Sequence, residues 1–277
     1  MKPKNTHYAA QSPLGKDSVY TQQYDAKLLF PLARSEYRST VEHVEHLASV
    51  KGYDYWNCYE LSWLDSSGKP VVYCAAFEVP AASAYIIESK SLKLYLGSLN
   101  QHRFETVEQA RVTIEADLSH CLREPVKLQL SAVDNFIAAE TVEATLLDML
   151  PISCSEYERN PALLHCERTQ TQGQVLVSHL LRSNCPVTNQ PDWATVTLTY
   201  SGAVINHESL LAYIISYRQH SGFHEQCVEQ IYCDIMHYCE PEKLTVAAQY
   251  TRRGGIDINP ARSNFQSAMK LPRMNRQ

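Results

Sequence analysis

The chain has 277 residues, a formal net charge of −5, 20% charged and 44% hydrophobic residues, and nine cysteines beside nine glycines. That is enough apolar material for a sizeable core, which excludes wholesale disorder, and the mild acidity argues against a protein that coats nucleic acid. No apolar run approaches the roughly 18–20 residues that span a bilayer.

Met1 to Gly15 carry lysines with no apolar run behind them, so no secretory signal is expected. The odd number of cysteines then reads as a reduced, cytoplasmic set rather than a disulfide framework. Residues 1–50 are polar and weakly periodic, and read as an irregular arm. From Asn57 to Leu64 apolar and polar side chains alternate with the period of a half-buried strand. Asp65 to Pro70 is turn chemistry and Val71 to Val79 a second strand, so the two form a hairpin. Residues 84–89 continue extended. Helices are expected over about Ser91–Asn100 and Val107–Leu122. The second opens on Thr106-Val107-Glu108-Gln109, a capping-box pattern, and repeats Val107, Ala110, Ile114, Leu118 and Cys121 at helical spacing. Val126 to Ser131 alternates again.

The same order returns in the second half. Gln174–Leu181 and Trp193–Tyr200 are strands joined by the turn-like Asn184 to Asp192. Helices follow over Ser209–Tyr217 and Glu225–Cys239, the latter with Val228, Ile231, Tyr232 and Ile235 on one face and Glu240-Pro241 at its end. Leu244–Thr251 is a further strand, running up to Gly254-Gly255. Two passes of strand, strand, helix, helix, strand suit an α+β fold in which each unit is an antiparallel sheet with two helices on one face. The expected division is an arm over 1–50, a first domain over 51–150, an irregular connection over 151–173 and a second domain over 174–277.

Four stretches carry the chemistry. In Ser183 to Trp193, Cys185 stands between a strand and a two-proline turn with Asp192 seven residues on; it is either a nucleophile served by that acid or a small packed hydrophobe. At Gly222-Phe223-His224-Glu225 the glutamate either complements a helix dipole or accepts two N–H donors from a guanine-like edge. Around Glu88-Ser89-Lys90-Ser91-Leu92-Lys93, backbone N–H groups and lysines suit a phosphate, and capping by Ser89 or Ser91 explains the serines equally well. Arg252-Arg253-Gly254-Gly255 adds two guanidiniums beside a glycine turn. His220, His224, Cys227, Cys233 and Cys239 do not keep one helix face, and CxxC, HExxH, GxGxxG and Walker A runs are absent. No metal is expected, nor a Rossmann-type dinucleotide site.

The runs Glu88 to Tyr95, Ser183 to Trp193, Phe223 to Cys227 and Tyr250 to Pro260, in this order, resemble the 7-cyano-7-deazaguanine reductases, the nitrile reductases of queuosine biosynthesis, in their long two-domain form. The resemblance covers most of the chain from about residue 55. It implies tandem tunnelling-fold domains, a cytoplasmic homodimer with neither nucleic acid nor membrane as partner, and reduction of a nitrile to a primary amine by two NADPH. By motif position, Cys185 forms a thioimide with the nitrile carbon, Asp192 donates the proton and His224 lies beside the reacting centre. Glu225 anchors the purine edge with Glu88 helping and Ile87, Ser89 and His224 around the substrate. Ser89, Lys90, Arg253 and Gly254 meet NADPH. No chemistry falls on residues 1–50. The alternative on the same fold is a zinc-dependent pterin or purine hydrolase of the GTP cyclohydrolase type, which needs a ligand spacing that is missing here.

Overall fold

The computed structural model describes residues 21, 23–133, 143–269 and 271–277. The first twenty residues of the lead-in lie outside this set. Its described part is built from short elements: a 3-10 turn (Ala26–Leu28), β1 (Pro31–Ala33), α1 (Arg34–Arg38) and a second 3-10 turn (Val44–Leu47).

The first half then runs β2 (Tyr53–Leu64), β3 (Pro70–Pro80), β4 (Tyr85–Ile87), α2 (Ser89–Ser98), α3 (Val107–Leu122) and β5 (Leu128–Ala132). Alternation buries Trp56, Cys58, Leu61 and Trp63 on one face of β2. The register shift against β3 between Cys58 and Leu61 absorbs the extra residue that lets both pairs face the same core. Half of the capping box forms as spaced: Thr106 Oγ1 accepts from the Gln109 amide, but Gln109 Oε1 accepts from the amide of Glu105, one residue before the cap, instead of from Thr106. Ala110, Ile114, Leu118 and Cys121 face the core, whereas Val107 at the helix start is exposed.

The second half runs β6 (Thr145–Leu146), β7 (Cys166–Asn184), β8 (Pro191–Ile205), α4 (His207–Ser216), α5 (His224–Cys239), β9 (Lys243–Tyr250) and β10 (Ile256–Ser263). β7 begins eight residues before the expected Gln174. Two register shifts against β8, between Cys166 and Gln170 and between Thr171 and Gln174, break its alternation, so the period that marks a strand is lost over its first part. β10 is a full-length strand that the sequence reading lacks. Glycines precede it and Pro260 sits inside it, a residue that argues against a central strand because it cannot donate to a ladder. Yet β10 pairs with β2 through Ile256–Pro260 and with β9 through Ala261–Ser263. One eight-stranded sheet results, in the order β5-β3-β2-β10-β9-β8-β7-β6, antiparallel except for β6 against β7.

Two apolar cores lie between sheet and helices. One joins Leu198, Val246 and Tyr250 to Leu211, Ile214, Val228 and Ile231 of α4 and α5. The other joins Trp56, Trp63 and Phe77 to Leu92, Tyr95, Ile114 and Leu118 of α2 and α3, and includes Ile256 and Ile258 of β10. This is the α+β layout with helix pairs on antiparallel strands that the tunnelling-fold resemblance implies.

The first turns of α5 are buried all round, including their polar residues. The lead-in covers that polar face. Arg38 donates to both oxygens of Glu229, Arg262 of β10 also reaches Glu229, and Arg34 and Arg262 both reach Asp54. Gln226 donates to Thr40 and Gln230 Oε1 accepts from the Glu42 amide. Buried charges persist only when paired in this way.

Candidate active site

The connection between β7 and β8 is a tight loop. The Cys185 amide donates to Gln190 O at 2.9 Å and Cys185 O accepts from the Asn189 amide at 3.0 Å. Asn189 takes a left-handed φ of 56°, which its short polar side chain tolerates. The Asn184 amide donates to His220 O and Asn184 O accepts from the Gly222 amide, so the chain entering α5 is tied beside the cysteine. Cys185 and Asp192 stand at the two ends of this loop, and both are buried.

Asp192 is gripped from two sides. Its Oδ1 lies 3.0 Å from Arg253 Nε and its Oδ2 lies 3.5 Å from His224 Nε2. The His224 ring lies flat on Tyr250 of β9, and its Nδ1 is buried with no hydrogen-bond partner in the protein. An orphaned buried nitrogen at a cavity wall is a group waiting for a ligand. Glu225, next along α5, is 2% exposed, and burial, followed by the charge of Asp54, pushes its carboxyl up to about 8.

Across the cavity stands the N-terminus of α2. The residue that caps it is Glu88, not Ser89 or Ser91: its carboxylate accepts from the Lys90 and Ser91 amides at 2.7 and 2.8 Å. Ser91 instead donates to Glu88 O. A carboxylate can satisfy two amides of the first turn at once, which one hydroxyl cannot. Burial raises the Glu88 carboxyl all the same.

The third wall is the turn between β9 and β10. Arg253 N donates to Ile256 O, with Gly254 and Gly255 at φ 59° and 74°. The left-handed backbone at φ 74° is what calls for glycine at residue 255, where this turn meets the Glu60 side chain of the β2 bulge. Arg252 faces away from the site and lies over the Tyr59 ring, leaving Arg253 as the guanidinium of this wall.

One cavity of about 380 Å³ joins these parts. Ile87, Ser89, Lys90, Cys185, Asp192, His224, Glu225, Arg253 and Gly254 all line it; Glu88 does not, lying behind the wall as the cap of α2. Lys93 belongs to the stretch whose lysines suit a phosphate, but the sequence alone assigns it no place beside Ser89, Lys90, Arg253 and Gly254. It lines the cavity one helical turn beyond Ser89 and Lys90, and its stem lies 3.2 Å from where a Cβ of Gly254 would stand. Its ammonium is pushed down by burial and by Arg253. The i, i+3 and i, i+4 spacing from Lys90 and Ser89 was the available signal.

A thiol and a carboxylate in one cavity, with a histidine at the same acid, a buried glutamate and a cationic wall, suit nucleophilic attack on a polar group of a small ring, with an anionic co-reactant alongside.

Comparison with known proteins gives the following. Residues 20–130 match the family described as "Nitrile reductase, 7-cyano-7-deazaguanine-reductase N-term", and residues 191–268 match "QueF-like protein". Cys185 falls between the two matched stretches. The chain is 49% identical over 263 residues to the NADPH-dependent 7-cyano-7-deazaguanine reductase of Burkholderia orbicola (strain MC0-3), covering 93% of this chain and 95% of that one. It is 49% identical over 262 residues to the protein of the same name from Paraburkholderia phymatum (strain DSM 17167 / CIP 108236 / LMG 21445 / STM815), covering 94% and 95%. A crystal structure of the archaeosine synthase QueF-Like in the apo form aligns with a TM-score of 0.29 and 20% identity, covering 37% of this chain and 94% of that chain.

Proposed function

The chain belongs to the family of NADPH-dependent 7-cyano-7-deazaguanine reductases, and from that premise we propose how its own residues carry the reaction. It reduces the nitrile of 7-cyano-7-deazaguanine to the aminomethyl group of 7-aminomethyl-7-deazaguanine with NADPH, a step of queuosine biosynthesis. The observation that carries the mechanism is the meeting of Cys185, Asp192, His224 and Glu225 in one cavity with the α2 N-terminus.

Glu225 accepts the two N–H donors of the guanine-like edge, with Ile87, Ser89 and His224 around the ring and Glu88 holding that stretch in place through the cap. Asp192 accepts the proton of the Cys185 thiol. The sulfur bonds to the nitrile carbon, and the same proton passes to the nitrile nitrogen, giving a neutral thioimide. A thioimide takes hydride more readily than a nitrile, which is the reason for a covalent intermediate. Two molecules of NADPH, bound in turn, would each supply one hydride, the first to the thioimide carbon and the second to the imine left when the Cys185 thiolate departs. His224, oriented by Tyr250, returns protons to Asp192. Lys90, Lys93 and Arg253 fit the phosphates of that dinucleotide: Lys93 is destabilised as a cation by burial and Arg253, so an added anion relieves the wall. Ser89 and Gly254 complete it, with backbone and no bulk.

The zinc hydrolase alternative has no support in the relatives named above, and His224 Nε2 faces Asp192 rather than a set of ligands. We assign the working form as a cytoplasmic homodimer that takes the free base and no nucleic acid, in keeping with net charge −5 and nine free thiols. Its two units are residues 51–150 and 174–277, with 1–50 as lead-in and 151–173 as connection. No helix among the described residues is long and apolar enough to cross a membrane.

Intact-protein mass spectrometry tests the mechanism. Incubation with 7-cyano-7-deazaguanine without NADPH should add the mass of the nitrile to the wild-type chain and nothing to Cys185→Ala. An adduct that survives in Cys185→Ala overturns the assignment.

A further inference from the structure

Away from the cavity, the second 3-10 turn and the last turn of α5 bring three metal-ligating side chains together. One ligand atom each of His43, Glu45 and His237 lies within 4.8 Å of the others. The His43 and His237 rings are stacked, centroids 3.5 Å apart and planes 10° apart, and the His46 ring stands 6.2 Å from His237. His43 Nδ1 is 3.9 Å from Glu45 Oε1, too long for a hydrogen bond.

We propose that His43, Glu45 and His237 form a binding site for one divalent transition-metal ion of the zinc type. Two imidazoles and one carboxylate, partly exposed, are the donor set of an open tetrahedral site whose fourth position is water. Donor atoms about 2.1 Å from a tetrahedral ion stand roughly 3.4 Å apart. The three donor atoms, within 4.8 Å of one another, stand near that separation, and the two rings must turn out of their parallel stack to point at one ion.

His43 belongs to the lead-in and His237 to α5, so the ion would cross-link two segments far apart in sequence. α5 carries His224 and Glu225 at its other end. The ion therefore fastens the lead-in to the helix that presents the substrate anchor, and its effect is on stability rather than on the reaction itself.

The test uses the full chain without a histidine tag, stripped with chelator and titrated with Co²⁺ and Zn²⁺ near neutral pH. One Co²⁺ per chain is expected, with visible bands of nitrogen and oxygen ligation, and a rise in thermal midpoint with Zn²⁺. His237→Ala and His43→Asn, the latter chosen because Asn tolerates the left-handed backbone of residue 43, should weaken binding by about 100-fold, since even outer-shell partners are worth about 10–100-fold. Glu45→Gln, at a side chain 69% exposed, should weaken it without touching the fold. A sulfur-to-metal charge-transfer band, sub-stoichiometric binding, or unchanged affinity in these variants overturns the proposal.

Discussion

His224 lies face to face with Tyr250, ring centroids 3.7 Å apart and planes within 1°. The stack opposes a flip of the imidazole out of this plane, and within it Nε2 lies 3.5 Å from Asp192 Oδ2. Tyr250→Phe keeps the ring and should retain kcat. Tyr250→Leu releases the imidazole, and kcat should fall by about 10-fold or more, as expected when a proton-transfer group worth about 10²–10⁴ is misplaced. Steady-state NADPH oxidation compares the two; equal rates for Phe and Leu would remove the stacking from the mechanism.

Asp192→Asn removes the group that takes and returns the proton while keeping its shape. The rate of adduct formation should drop by about 10²–10⁴-fold. Substrate affinity, read by calorimetry in the Cys185→Ala background, should change little. Loss of affinity in step with rate would make Asp192 a binding group instead.

Glu225 makes binding depend on pH. Its carboxyl is raised from 4.5 to about 8, so at neutral pH it is mostly protonated in the free protein, and two N–H donors require the ionised form. Substrate affinity should therefore rise as pH rises toward about 8, close to tenfold per unit, and level off above it. The same shift acts on stability with the opposite sense. A raised acid favours the folded state fully below 4.5 and gives that contribution up as pH climbs to about 8. Glu225→Gln should flatten both profiles, and a binding profile that keeps its slope in Glu225→Gln would assign it to another group.

Glu229 tests the buried ion network. Glu229→Gln leaves Arg262, with no exposed side-chain surface, and Arg38 without their shared carboxylate. Removal of one partner of a buried pair costs about 3–5 kcal/mol, to be read as a lower urea midpoint. Because Glu229 sits one helical turn beyond Glu225, substrate KM should rise as well. An unshifted midpoint would mean that water reaches the network.

Lys93→Met should raise the KM for NADPH by about tenfold, equivalent to about 1.4 kcal/mol, and leave adduct formation intact. Slower adduct formation would move Lys93 to the substrate side of the cavity.

Local chemistry made much of this fold legible. The capping residue Thr106, the alternation through Trp56 and Trp63 and the helical stripe from Val228 to Ile235 each report a period or a hydrogen bond only a few residues long. What escaped depends on distant partners. β10 hides its strand character behind Pro260 and buried polar residues. Asp257 and Asn259 are tolerable inside a sheet because Asn57, Tyr59 and Tyr250 supply their hydrogen bonds. The lead-in looked featureless for the same reason: Arg34 and Arg38 become core residues only once Asp54 and Glu229 meet them. At the site, residue types named the chemistry, whereas the cap at Glu88 and the place of Lys93 in the wall required three dimensions.

The placement of β10 has a consequence for how the chain is made. Asn57 meets Asp257 across 200 residues, and the Ile256 and Ile258 side chains complete a core begun two hundred residues earlier. During synthesis the N-terminal half emerges with β2 lacking its neighbour and a gap in its apolar interior until the last strand leaves the ribosome. Such a long-range closure folds late and keeps a sticky edge open meanwhile. A nascent chain stalled before residue 256 should be degraded or held by chaperones as a whole, rather than survive as a folded first half.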